Sequence, residues 1–231
     1  MGSSRTVDQP GAATGGDAMS TERSWRVRRR RQTAEEALDH AVNVMAEQGV
    51  GALTISEVAR RMGMRGPSLY KYFDSLHALY DALFDRGLAA NDLAVREAIA
   101  GVPPGVEAIR VGARATVRWC MENPALAQLL YWRVIPGFEP SSATFAASRD
   151  QAVEMRTMFT EAVRRKQLTA AADSDESVRL LTVLISGLIT QQMANQPGAG
   201  YDDGAYTSMT DQALDLFFDH YQRPRQRKGH P

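Results

Sequence analysis

The stretch LTISEVARRMGMRGPSLYKYF, residues 53–73, leaves few options for how this chain folds. Thr54 with Glu57 three residues on is a capping box, in which each side chain satisfies a free backbone N–H of the other, so a helix is predicted to begin at about Ile55. Ile55, Val58, Ala59 and Met62 then recur at helical spacing, and Gly63 ends the run because glycine takes the left-handed conformation that helix ends often need. Pro67 stands where a second helix would start, a position that tolerates its missing N–H. Leu69, Tyr70 and Phe73 continue the inward spacing. Two short helices joined by a tight glycine-containing turn form a helix-turn-helix, whose second helix fits the DNA major groove.

At these residues the chain resembles the TetR/AcrR family of bacterial transcriptional regulators. The resemblance rests on Leu53-Thr54, Val58-Ala59, Gly63 and Leu69-Tyr70-Lys71-Tyr72-Phe73, and it covers roughly residues 32–83 at motif level. It extends to the rest of the chain only by length and helical character. Two positions depart from the family pattern. Its Phe-x-x-Lys, whose lysine contacts a phosphate, reads Phe73-Asp74-Ser75-Leu76, and its small hydroxyl residue two positions after the turn glycine is Arg65.

The resemblance implies an all-α chain, with an N-terminal three-helix helix-turn-helix DNA-binding domain and a C-terminal helical ligand-binding and dimerisation domain. Side-chain chemistry assigns roles within the first domain. Thr54 and Ser68 are hydroxyls at or near helix starts, suited to phosphate oxygens. Arg65, Lys71 and Tyr72 are expected to face the groove, and Tyr70 matches the family's DNA-contacting tyrosine. Tyr70 and Tyr72 have packing into the small core as their alternative. Gly66 has no side chain to read a base, so recognition at the turn falls to Arg65.

The charge distribution agrees with this division. Over 231 residues the net charge is zero, which argues against a uniformly basic nucleic-acid binder. Residues 23–75 nevertheless hold ten Arg/Lys against six Asp/Glu, whereas residues 76–222 hold twelve against eighteen. Six arginines fall within residues 23–31, and an arm carrying Arg28 and Arg30 beside a helix-turn-helix can follow the backbone or enter the minor groove. Residues 1–22, rich in Gly, Ser, Ala and Thr, read as a disordered extension. Thr33 with Glu36 gives a second capping box, placing the first helix and the domain start at about residue 32, with Leu38, Ala41, Val42 and Met45 as its apolar stripe.

From residue 76 to 222 every predicted element is a helix. Leu76, Leu79, Tyr80, Leu83 and Leu88 continue an amphipathic helix out of the first domain. After the GVPPG break at residues 101–105, Val106, Ile109, Ala113, Val117 and Cys120 mark one face and Arg110, Arg114 and Arg118 another. Pro124 opens a short helix, a long one follows from about Ser142, and a strongly apolar one spans about residues 178–192. A last helix ends near Tyr221, before a basic tail at residues 223–231. By resemblance, the last two helices pair with their copies in a homodimer, with Leu184, Leu188, Leu214 and Phe217 at the interface; burial within one chain is the alternative.

Trp119, Met121, Trp132, Met155, Met158 and Phe159 gather large adaptable side chains mid-domain, and the resemblance implies that they line an apolar pocket for a small-molecule effector. Arg114, Arg118 or Gln191 would orient a polar end of that ligand. A single cysteine and four scattered histidines give no metal-ligand spacing, and there is no phosphate-cradling glycine loop or nucleophile elbow. Neither a cofactor nor an enzyme is expected. Without a membrane-length apolar stretch or an N-terminal apolar signal, the chain is expected in the cytoplasm. The expected function is that of a repressor released from a palindromic operator by a largely apolar effector. An architectural DNA-binding protein is the alternative, and a helical enzyme a more distant one.

Overall fold

The computed structural model describes residues 15–132 and 134–222. Among them it holds no strand, and its helices are α1 (Gly15–Gln48), α2 (Ile55–Arg61), α3 (Gly66–Leu69), α4 (Leu76–Ile99), α5 (Val106–Glu122), α6 (Pro124–Tyr131), α7 (Ser142–Arg164), α8 (Asp175–Asn195) and α9 (Thr210–Tyr221). Short 3-10 turns precede α2, α8 and α9. The chain is thus all-α, as its sequence predicts.

Helix α1 corrects the predicted start of the fold. Residues 15–22, read as disordered, and residues 23–31, read as an arm, form one helix with residues 32–48. Thr33 does not cap it; its Oγ1 donates back to the Arg29 carbonyl at 3.1 Å, as a threonine inside a helix does. Once Ala37, Leu38, Ala41, Val44 and Met45 are buried, extending the helix upstream adds one hydrogen bond per residue fixed, through a segment rich in good helix formers. The rest of the predicted N-terminal extension and the basic tail lie outside the described residues.

The helix-turn-helix forms as its caps dictate. Thr54 Oγ1 accepts from the Glu57 N–H at 3.2 Å and starts α2, which buries Ile55, Val58 and Ala59. The Glu57 carboxylate does not return to Thr54; it binds Arg60 and Arg61 instead. Gly63, with φ of 67°, ends α2 in a Schellman turn: its N–H donates to Arg60 O and that of Met64 to Ala59 O. Leu69 and Phe73 then enter the core shared with α1 and α4.

Helix α4 carries this core into the second domain. Ser75 caps it, its Oγ accepting from the Ala78 N–H at 3.0 Å, and Leu79, Tyr80, Leu83 and Gly87 are buried along it. In the second domain, the arginines of α5 form a ladder to α9 and the loop before it. Arg110 pairs with Asp215 at 2.6 Å, Arg114 with Asp211 at 2.7 Å, and Arg118 with both carboxylate oxygens of Asp202. Arg110 and Arg118 also lie over the rings of Phe218 and Tyr201.

The ladder sets the rotation of α9. Leu214 and Phe217, expected at a dimer interface, are turned inward, where Phe217 packs on Phe159, Phe218 and Tyr221. They belong to the core of a single chain. Leu184 and Leu188 of α8 are half-buried.

One buried polar side chain holds the α8–α9 connection. Gln192 is fully buried; its Oε1 accepts from the Tyr206 and Thr207 N–H groups at 3.0 and 3.3 Å, and its Nε2 donates to Gln196 O. Replacing it would strand one buried and one half-buried backbone donor. Gln192→Ala is expected to cost about 1–3 kcal/mol in urea unfolding, against less than about 0.5 kcal/mol for the exposed neighbour Gln191→Ala.

Candidate nucleic-acid interface and ligand cavity

The outer face of the helix-turn-helix is polar and cationic because its apolar positions are spent on the core. With Leu69 and Phe73 inward, Arg65, Tyr70 and Lys71 are left exposed, Tyr70 by 51%. Gly66 and Ser68 are half-buried at the start of α3, and Thr54 is exposed at the start of α2. The Thr54 oxygen already accepts from Glu57, and its hydroxyl proton remains to be donated. Tyr72 is the exception. It is half-buried against the core, beside Lys71 in a groove whose other wall is Trp25, Arg26, Arg29 and Arg30 of α1.

The arginine run has divided tasks. Arg30 Nη2 donates to the Lys71 carbonyl at 2.8 Å and ties α1 to the end of α3. Arg29 lies over the Trp25 ring, 5.2 Å from its centroid. Arg28 is exposed. Leu76, which stands where the family has a lysine, is the first residue of α4 and packs half-buried against the core.

Beneath α2, Arg61 bridges Glu57 and Glu47 of α1 at 2.9 and 2.7 Å, fixing the helix-turn-helix on α1. Hydrogen bonds from Arg60 and Arg61 hold the Glu57 carboxyl at about 2, well below the ordinary carboxylate range. Its ion pairs are therefore fully formed above about pH 4.5 and fade only as pH falls towards 2.

The second domain holds an open-sided cavity of about 330 Å³. Helix α4 contributes Phe84, Leu88 and Asn91, and α5 Ala113 and Thr116. Leu130 and Tyr131 come from α6, and Ser148, Gln151, Ala152 and Met155 from α7. Helix α8 closes it with Val178, Leu181, Thr182 and Ile185. Gln151 Nε2 donates to the Leu88 carbonyl at 3.2 Å, joining α7 to α4 at the cavity wall.

Of the side chains predicted to line an effector pocket, Met155 does so. Trp119 and Phe159 are buried in the core, Phe159 against Phe217. Met121 and Met158 pack half-buried around that core. Trp132 donates its indole N–H to Thr190 at 3.1 Å. Arg114 and Arg118 face carboxylates of the α9 side. The polar lining residues Asn91 and Gln151 were missed, although the signal existed: Phe84, Leu88 and Asn91 fall on one helix face, as do Ser148, Gln151 and Met155.

Among the described residues, no three His, Cys, Asp or Glu side chains are placed to hold a metal ion, and no helix is long and apolar enough to cross a membrane. Cys120 is buried, and burial pushes its thiol up to about 12.

An all-helical chain with an exposed cationic helix-turn-helix, joined by one long helix to a cavity-bearing domain, falls in the class of two-domain helix-turn-helix proteins. Residues 37–83 match the family model of bacterial regulatory proteins, tetR family, so the N-terminal domain of the chain is similar to that family. It is 31% identical over 100 residues, 43% of its length, to an uncharacterised HTH-type transcriptional regulator of Mycobacterium tuberculosis. The chain spans about half the length, 50%, of that curated relative. Among solved structures it is similar to a protein of unknown function from Rhodococcus sp. RHA1, with TM-score 0.69 and 20% identity, covering 82% of this chain and 95% of that one. It is also similar to the transcriptional regulator FadR from Bacillus subtilis in complex with stearoyl-CoA, with TM-score 0.68 and 16% identity, over 80% and 97% of the two chains.

The Cys120 thiol carries a direct prediction. Desolvation keeps it in the neutral thiol form at pH 8, and burial shields its sulfur from reagents. An aromatic disulfide reagent should leave the native protein unlabelled at that pH and titrate one thiol per chain once denaturant is added.

Proposed function

We propose that this protein is a sequence-specific DNA-binding transcriptional repressor that leaves its operator when a small molecule enters the cavity of the second domain. The observation that carries the reading is the double role of α4. Near its start, the Tyr80 hydroxyl donates to the Val50 carbonyl at 2.7 Å in the first domain, while Phe84, Leu88 and Asn91 of the same helix line the cavity. Arg86 adds an ion pair from α4 to Asp39 of α1. A ligand that moves α4 therefore moves the helix-turn-helix with it. On DNA, Arg65, Tyr70 and Lys71 face the major groove, Thr54 and Ser68 take phosphates, and Arg28 extends the contact along α1.

The working unit in this reading is a homodimer joined through α8 and α9. Leu180, Val183 and Gly187 share the solvent side of α8, and Leu216 stands out from α9; Val183 and Leu216 are 63% and 68% exposed. A Cβ added at Gly187 would meet nothing within 4 Å, which leaves room for a partner helix to approach. The interface thus uses the residues that the arginine ladder leaves outside, with Leu184 and Leu188 at its margin. Two recognition helices would then read half-sites about 34–36 Å apart, or a multiple of this. Ligand would favour the geometry with the wrong spacing.

Selection of bound sites from random duplex DNA at near-physiological salt tests the reading. A palindromic consensus is expected, whereas retention without a consensus would point to an architectural protein. Arg65→Ala should weaken the consensus complex about ten- to a hundred-fold and relax selection at one position per half-site; uniform weakening across sequences would make it a phosphate contact. By sedimentation, Val183→Asp should yield a folded monomer with reduced operator affinity, because it places a charge on an exposed face that the dimer covers. A dimer that survives this change would place the interface elsewhere.

A further inference from the structure

We propose that the cavity selects an uncharged, mainly apolar molecule of about two rings that carries one hydrogen-bond acceptor, with Asn91 as the donor to that acceptor. The inference rests on reading this cavity as the effector site.

Three observations carry it. First, no side chain lining the cavity is an acid, a base or a histidine. Burying an ionised ligand there would leave its charge without a partner, at a cost well above what apolar contact returns. On α5, beside the lining residues Ala113 and Thr116 in sequence, Arg114 and Arg118 are already paired with Asp211 and Asp202. Second, the space is limited. An apolar cavity of about 150 Å³ accepts benzene, so about 330 Å³ suits a two-ring skeleton or an acyl chain of similar bulk.

Third, one polar group in the wall is left unused. The Asn91 Nδ2 is closed off from solvent and has no hydrogen-bond partner among the described residues. A buried donor without an acceptor is costly and uncommon. Asn91 lines the cavity, one turn of α4 beyond Leu88, whose carbonyl already takes the Gln151 amide. Rotation about its Cβ–Cγ bond is broad and soft, so the amide can turn its N–H₂ towards the cavity. A ligand carbonyl there would satisfy the donor, while Phe84, Leu130 and Ile185 contact the apolar body.

Calorimetric titration of the full chain, without DNA, tests this with three probes of nearly equal shape: acetylnaphthalene, ethylnaphthalene and naphthoate. Acetylnaphthalene should bind about ten-fold more tightly than ethylnaphthalene, the size expected for one hydrogen bond to an otherwise orphaned donor. Naphthoate should bind at least about a hundred-fold more weakly than acetylnaphthalene. Asn91→Leu, close in volume, should remove the preference for the acetyl probe while leaving the ethyl probe bound. Its melting temperature should match or exceed the parent's, because an unpaired donor is removed. Asn91→Ala, which removes the donor outright, serves as a second variant with the same expected loss of preference. Equal or tighter binding of naphthoate, an acetyl preference that survives both substitutions, or no binding of any probe would overturn the proposal. If acetylnaphthalene binds with this pattern but leaves the operator complex intact, the ligand class stands and the effector-release reading falls.

Discussion

A single hydrogen bond, from the buried Tyr80 hydroxyl to the Val50 carbonyl, fixes where α4 meets the helix-turn-helix. Its weight comes from what it prevents. Val50 begins the 3-10 turn that leads into Leu53 and the capped start of α2, and that carbonyl lies too deep for water to serve it well. Tyr80 supplies the donor, and burial in turn pushes its phenol above the ordinary range, so it stays protonated and donating throughout the physiological range. Around this bond Leu79 and Leu83 join the core of Leu53, Leu69 and Phe73. The first domain is therefore closed by a helix that continues into the second, and the two cannot shift independently at this point.

Charge placement in the second domain does a related task by a different route. The arginines of α5 recur at i, i+4 and i+8, and the aspartates of α9 at i and i+4, so facing helices meet along one line. Exposed ion pairs of this kind contribute little stability singly. Their effect here is orientation: with Asp211 and Asp215 turned to α5, the helix must send Leu214, Phe217, Phe218 and Tyr221 inward and Leu216 outward. The polar pairing decides which apolar residues remain for another molecule to cover.

The sequence was most informative where a local rule had no competitor. The Thr54 cap, the Gly63 turn and the burial of Leu69 and Phe73 are all set within a few residues, and the structure places each accordingly, whereas Tyr70, read at the same inward spacing, is exposed. The same capping rule failed at Thr33, where packing of the downstream stripe and strong helix formers upstream made an uninterrupted helix the better solution. Residue size was a poor guide to the cavity. Trp119 and Phe159 fill core space because they are large, whereas a void is lined by whichever residues the neighbouring helices happen to turn towards it, including Ala113, Thr116 and Ala152. The inward face of α9 was equally hidden, since it depends on arginines about a hundred residues away in sequence.

The position of the polar groups bears on how a neutral ligand could act at all. A ligand shifts a conformational equilibrium only by the difference in its affinity for the two states, and moving a population from 1:99 to 99:1 needs about 5.5 kcal/mol. Apolar contact alone gives little difference if the cavity merely changes shape while keeping its area. A donor on α4 and an amide on α7 are more discriminating. Asn91 moves with α4, whereas Gln151 belongs to α7 and is bound to α4 through the Leu88 carbonyl. In the proposed mechanism, an acceptor drawn to Asn91 while the ligand's body rests on α7 and α8 favours one α4 offset over another. A displacement at Asn91 is then carried along a continuous helix to Tyr80 and the turn that leads into α2.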